Sequence, residues 1–159
     1  MKVYRFRISI MGLPKVYRII EASENCTFDD LHEVIFEAFH RYDPHLYSFF
    51  MTKKDSKNIR EIWDSPEITH PQSVESVFGF GKKRKSGVTT KIGTAGFTEG
   101  DIFHYLFDYG DEWWHRIRVQ SVTGADRKKK FLKITKSIGQ SPPQYPDYEE
   151  EEEDFDEDD

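Results

Sequence analysis

Tyr105-Leu-Phe-Asp-Tyr-Gly-Asp-Glu-Trp-Trp-His115 decides the reading of this chain. Around one glycine it gathers five aromatics, three carboxylates and a histidine. On either side, Ile102 to Tyr109 and Trp113 to Val122 have the composition and alternation of strands. The segment therefore reads as a hairpin with aromatic strands and an acidic turn. Register then sets the faces, because a slip of one residue moves every side chain to the other side. A two-residue Gly110-Asp111 turn would set Phe107 opposite Trp114 and Tyr105 opposite Arg116, with Asp108, His104 and His115 among the apolar side chains. A three-residue loop, Gly110-Asp-Glu112, gathers Phe103, Tyr105 and Phe107 with Trp113, His115, Ile117 and Val119 on one face. Asp108 is then left near Trp114 and Arg116 on the other. The second register is preferred, since a buried unpaired carboxylate is expensive.

Working outward, Tyr4, Phe6, Ile8 and Ile10 alternate with Arg5, Arg7 and Ser9, which predicts a half-buried strand. Gly12-Leu-Pro14 supplies a turn, and Val16 to Ala22 returns as the second strand of an opening hairpin. Thr27 is a suitable N-cap for the helix that follows, with Asp29 and Asp30 where the helix dipole favours acids. Phe28, Leu31, Val34, Ile35, Ala38 and Phe39 form its apolar stripe, and Asp43-Pro44 closes the region. Leu46 to Met51 reads as a short strand, Lys53 to Lys57 as a polar turn, and Glu61-Ile-Trp63 as the partner strand. Residues 65–100 lose any strong period and read as an irregular excursion that includes Lys82-Lys-Arg-Lys85. Phe131 to Ile138 predicts a last strand, after Gly124 and the basic run Arg127-Lys-Lys-Lys130. Ser141-Pro-Pro143 is expected to end the order.

The 159 residues fit one domain able to bury its own core. The net charge of -6 conceals an asymmetry: eleven of the thirteen residues from Asp147 to Asp159 are acids. Removing them leaves 18 acids against 23 Lys and Arg, so the body over 1–146 is mildly basic. The tail, 147–159, is expected to be disordered, because so dense a run of like charges cannot bury apolar surface. The single cysteine, Cys26, cannot form an internal bridge and is expected as a buried structural thiol in a reducing compartment. No apolar run is long enough to span a bilayer, and the amino terminus lacks the apolar region of a signal peptide. A cytoplasmic location without membrane partners is the expectation.

Several motifs bear on chemistry. Asp108 and Asp111 suit turn capping, in which an Asp carboxylate accepts from backbone two residues on. The sharper alternative joins Asp108, Asp111, His115 and His45 as ligands of a divalent metal, with His32 a further candidate and His104 another in the same hairpin. His32-Glu33 opens like a zinc-protease motif, but the second histidine would stand at position 36, which is Phe36. Gly79-Phe-Gly81-Lys82-Lys83 lacks phosphate-loop spacing, and no nucleophile elbow occurs. Lys82, Lys83, Arg84 and Lys85, then Lys128 and Lys129, with Arg116 and Arg118 beside Trp114, form the candidate surface for phosphates.

Three blocks carry a resemblance to a known family. They are Tyr4-Arg-Phe-Arg-Ile8 running to Tyr17-Arg-Ile-Ile20, Thr27-Phe-x-x-Leu-His-Glu-Val-Ile35 with Asp43-x-His-Leu46-x-x-Phe49, and Tyr105-x-Phe-Asp-Tyr-Gly-Asp-x-Trp-x-His115-x-Ile117. Together they resemble the plasmid pRiA4b ORF-3-like family, whose members occur on plasmids and as passengers beside transposases in insertion elements, some labelled TnpR-like. Where such proteins often carry Pro-Pro-Glu-Asp-Cys-Gly-Gly, this chain has Gly139-Gln-Ser-Pro-Pro-Gln-Tyr145. The resemblance implies an α+β domain with antiparallel sheet and one main helix, and brings no established activity. The resulting expectation is an antiparallel sheet built from hairpins, with helix 27–40 on one face. Function is expected to be non-enzymatic binding of DNA, RNA or protein, associated with mobile elements and needing no cofactor. The alternatives are a metal-dependent hydrolase or nuclease, and an adaptor that holds a protein partner.

Overall fold

The computed structural model describes residues 1–75, 84–126 and 128–145. The elements run β1 (Lys2–Ile10), β2 (Leu13–Ser23), α1 (Phe28–Ala38), β3 (Tyr47–Phe50), α2 (Ile59–Trp63), β4 (Glu67–Thr69), β5 (Arg84–Ser86), β6 (Ile102–Phe107), β7 (Trp113–Gly124) and β8 (Leu132–Ile138). All eight strands join one sheet in the order β5-β4-β3-β6-β7-β1-β2-β8. The α+β expectation with one main helix stands, but the sheet is mixed, because β4 and β5 pair in parallel. Residues 70–83 provide the crossover length that a parallel pair requires.

The two long hairpins meet at the centre of the sheet through β1 and β7, so strands far apart in sequence become neighbours. Val3, Arg5, Arg7 and Ser9 therefore share a face with Arg116, Arg118 and Trp114, while Phe6, Ile8 and Ile10 turn to the opposite face with His115, Ile117 and Val119. The second face carries the main core, including Tyr4, Phe6, Phe28, Leu31, Ile35, Phe49, Phe103, Tyr105 and Phe107. α1 contributes its apolar stripe to that core, and the expected cap forms: Asp30 N–H donates to Thr27 Oγ1 at 3.0 Å, and Thr27 N–H donates to Asp30 Oδ2 at 2.9 Å. Cys26 is buried, as its isolation suggested. Among the described residues no helix is long and apolar enough to cross a membrane.

The central hairpin adopts the preferred face assignment with a longer loop. Phe107 pairs with Trp113, Tyr105 with His115 and Phe103 with Ile117, so Asp108 to Glu112 form the connection. Asp108 and Glu112 both take positive φ, 65° and 54°. A five-residue connection keeps the parity of a three-residue one, which is why the faces agree while the pairing is shifted by two residues.

Two local expectations are corrected. Glu61-Ile-Trp63 is helical, in α2, because Asn58 Oδ1 accepts from Glu61 N–H at 3.3 Å and caps a short helix. The strand beside β3 is β4 instead. Order also continues past Ser141-Pro-Pro143. Gln144 is 2% exposed, accepts from Tyr42 and Asp43 N–H, and donates to the Asp43 carbonyl at 2.8 Å. Within the expected irregular excursion, β4, β5 and 3-10 turns at Pro71–Ser73 and Ile92–Ala95 are ordered elements. The 147–159 tail lies outside the described residues.

Candidate functional site

The sheet face opposite α1 is polar across β8, β2, β1 and β7. Three cross-strand rows define it: Lys133, Glu21 and Arg5; Lys136, Ile19, Arg7 and Arg118; then Tyr17, Ser9 and Arg116. Arg5 Nη1 bonds Glu21 at 3.4 Å, and Arg116 Nε bonds Asp55 at 3.0 Å. Arg7 and Arg118 stand directly opposite each other, although facing like charges destabilise a strand pair. Neither forms an ion pair among the described residues. Arg7 instead lies over the Tyr17 ring at 3.8 Å. A cavity of about 540 Å³ opens at one end of this face, lined by Ser9, Met11, Pro14, Asp55, Lys57 and Arg116.

The residues nominated from sequence distribute unevenly over this surface. Arg116 and Arg118 lie on it, and Arg5 and Arg7, which the sequence reading did not nominate, complete it. The signal for them was present in the Arg5-x-Arg7 alternation, but the β1–β7 pairing that joins the arginines is long-range. Trp114 is half-buried and packs on Phe50 and Trp63 at 5.7 and 5.9 Å in a second apolar cluster. Arg84 Nε bonds the buried Glu67 carboxylate at 3.2 Å. Lys85 is exposed on the edge strand β5, and Lys128 and Lys129 are exposed on the β7–β8 connection. Lys82, Lys83 and Arg127 lie outside the described residues.

The nominated metal ligands occupy different environments. Asp108 is 6% exposed, and its Oδ1 accepts from Gly110 N–H at 3.0 Å and Asp111 N–H at 3.4 Å, the turn-capping geometry. Its Oδ2 is 3.5 Å from His45 Nε2. Tyr145 O–H donates to Asp43 Oδ2 at 2.7 Å, so its oxygen accepts from His45 Nε2, also at 2.7 Å. Hydrogen bonding to Asp43 pushes the Tyr145 hydroxyl up to about 12. Asp111 meets Asp108 only through its backbone N–H.

His115 is enclosed. Arg41 Nη2 donates to its Nε2 at 3.1 Å, since a guanidinium has no acceptor, which leaves Nδ1–H to donate to the Tyr105 carbonyl at 3.4 Å. Burial, then the Arg41 charge, holds His115 well below the usual imidazole range. His32 Nδ1 is 2.6 Å from the Tyr105 hydroxyl, and its ring stacks on Tyr47 at 3.9 Å. Burial, with the His70 charge second, lowers His32 to about 3. Burial raises the Tyr47 and Tyr105 hydroxyls, Tyr47 also donating to Asp29 at 2.7 Å. His104 is buried and lowered by desolvation, with Nδ1 2.8 Å from Thr52 Oγ1. His32, His45 and His115 therefore line one aromatic row without converging: His32 and His115 flank Tyr105, while His45 packs on Phe107. No group of three or more His, Cys, Asp or Glu that could hold a metal ion occurs among the described residues.

The molecule is thus an α+β domain with a mixed eight-stranded sheet, one face buried under a helix and the other partly bare and basic. The model of the plasmid pRiA4b ORF-3-like proteins matches residues 2–151, and the chain belongs to that family. A crystal structure of a protein of unknown function, MM3350 from Methanosarcina mazei Go1, is similar at 25% identity with a TM-score of 0.67. That similarity covers 90% of this chain and 72% of the other. No curated protein matches the chain.

Proposed function

We propose that this protein is a non-enzymatic binding module that engages nucleic-acid backbone through the bare sheet face centred on Arg7 and Arg118. The observation that carries this reading is the opposition of those two arginines at the middle of the sheet, with no ion pair to an acid among the described residues. A stability cost of this kind is offset when phosphates lie between the guanidinia. Arg5 and Arg116 flank the pair, Lys133 and Lys136 extend it onto β8, and Tyr17 offers an aromatic surface beside it. Arginines interleaved with an aromatic on a sheet suit a sequence-tolerant single strand better than base-edge readout. The plasmid origin in the family's name fits such a role. The hydrolase alternative would need Asp108, Asp111, His115 and His45 to act as one group, and their geometry gives it no support.

Fluorescence anisotropy with a labelled single-stranded oligonucleotide tests the proposal. Four phosphate contacts predict that affinity falls about 50-fold between 50 and 200 mM salt. Arg7→Gln with Arg118→Gln should weaken association more than tenfold while leaving the unfolding midpoint unchanged or raised. Salt-independent binding, or equal affinity in that double variant, would refute the assignment.

A further inference from the structure

Two arginines are buried among the described residues, and they are treated differently. Arg18, 2% exposed, donates from Nε to the Ala38 carbonyl at 2.8 Å and from Nη1 to the carbonyls of Tyr17, Ile138 and Gly139. Its charge is spread over backbone dipoles, as buried charge requires. Arg41, 5% exposed, makes one hydrogen bond from its guanidinium, to the neutral imidazole of His115. Its Nε and Nη1 have no protein partner, and no carboxylate forms an ion pair with it among the described residues. Phe39, Phe107 and Trp113 surround the group, with ring centroids 5.3, 5.3 and 5.0 Å from its central carbon. The buried Trp113 Nε1–H is likewise unpartnered. This corner therefore holds a cation and three donor nitrogens that meet no acceptor among the described residues.

Ring quadrupoles attract the guanidinium but satisfy no N–H donor, and an unpaired buried charge is among the costliest features a fold can carry. Desolvation lowers Arg41 only to about 10, so the cation persists at neutral pH. Water could occupy a donor but brings no counter-charge.

We infer that Arg41, with Trp113 Nε1, forms a binding site for a small monovalent anion, a halide or the carboxylate of a small acid. The unpartnered atoms are enclosed, so a phosphodiester chain does not fit, and the site is independent of the nucleic-acid face across the sheet. Trp113 is the one cage ring that is not fully buried, which places the site next to solvent and makes its fluorescence a direct reporter.

The test is thermal unfolding and Trp fluorescence of the full chain, titrated with sodium chloride and with sodium formate. Sodium isethionate, a bulky sulfonate, supplies the same ionic strength as control. For the wild type, a saturable rise in midpoint of about 4 °C at ten times Kd is expected with chloride or formate over isethionate. Chloride alone would assign a halide site, and formate a carboxylate site. Arg41→Met, which keeps the volume and removes the charge, should abolish the difference. Trp113→Phe, which keeps a ring and removes the N–H, should weaken it severalfold. Equal rises with all three salts, or the same chloride response in Arg41→Met, would overturn the inference. Should Arg41→Met fail to fold, the wild-type comparison and Trp113→Phe decide the matter.

Discussion

Replacing His32 with glutamine should flatten the acid side of this protein's stability curve. His32 sits on the buried face of α1, stacked on Tyr47 and hydrogen bonded to Tyr105, and burial holds it near 3. In the unfolded chain it titrates near its ordinary value of 6.5. Its folded value is depressed, so above the unfolded value both states are neutral and the group has no effect. Below it, the unfolded chain binds a proton that the native state refuses, and stability is lost as pH falls. Integrated from pH 7.0 to 5.5, the loss is about 1.3 kcal/mol for each such histidine. His115 and His104, lowered in the same direction by burial, add to the loss. The wild type should therefore lose more than about 1.3 kcal/mol over this window, and His32→Gln about 1.3 kcal/mol less than the wild type. The measurement is urea unfolding followed by Trp fluorescence at four pH values and constant ionic strength. His32→Gln will be less stable at pH 7.0 through lost packing, so the slope and not the offset is diagnostic. Identical slopes in the two proteins would show that His32 is not a buried neutral imidazole.

Three further outcomes follow from particular contacts. Asp108→Ala should cost about 2 kcal/mol in urea unfolding, from the lost turn cap and a side chain poorly suited to φ 65°; Asp108→Asn, which tolerates that conformation, should cost less than half as much. Gly87→Ala should lower stability by about 2 kcal/mol, because an added Cβ overlaps the hydroxyl of fully buried Tyr47; a midpoint within error of the wild type would contradict that packing. Arg84→Met should cost about 2 kcal/mol by removing a partner of buried Glu67, yet leave oligonucleotide affinity within twofold in the anisotropy assay. A large affinity loss with unchanged stability would return Arg84 to the binding surface.

Much of the fold was legible locally. The Arg5-x-Arg7 alternation, the Thr27 cap with Asp30, and the parity of the aromatic hairpin are short-range patterns in which period and capping chemistry act within a few residues. Asp108 as a turn cap was legible for the same reason. Glu61-Ile-Trp63 misled because three apolar-polar positions suit a strand or a helical turn equally, and the Asn58 cap decided between them. The parallel β4–β5 pair and the burial of Gln144 depend on contacts that no local window contains.

By itself, the sequence determined the class of the domain, its main helix, its two long hairpins and the family to which it belongs, since periodicity, caps and turn residues act between near neighbours. Only the tertiary structure decided which charges matter. Pairing β1 with β7 brought Arg7 against Arg118, packing α1 on the sheet lowered His32 and His115, and the chain beyond α1 enclosed Arg41 with no acid paired to it among the described residues. The physical reason is that a charge takes its energy from surrounding dielectric and partners, and both are set by residues distant in the chain.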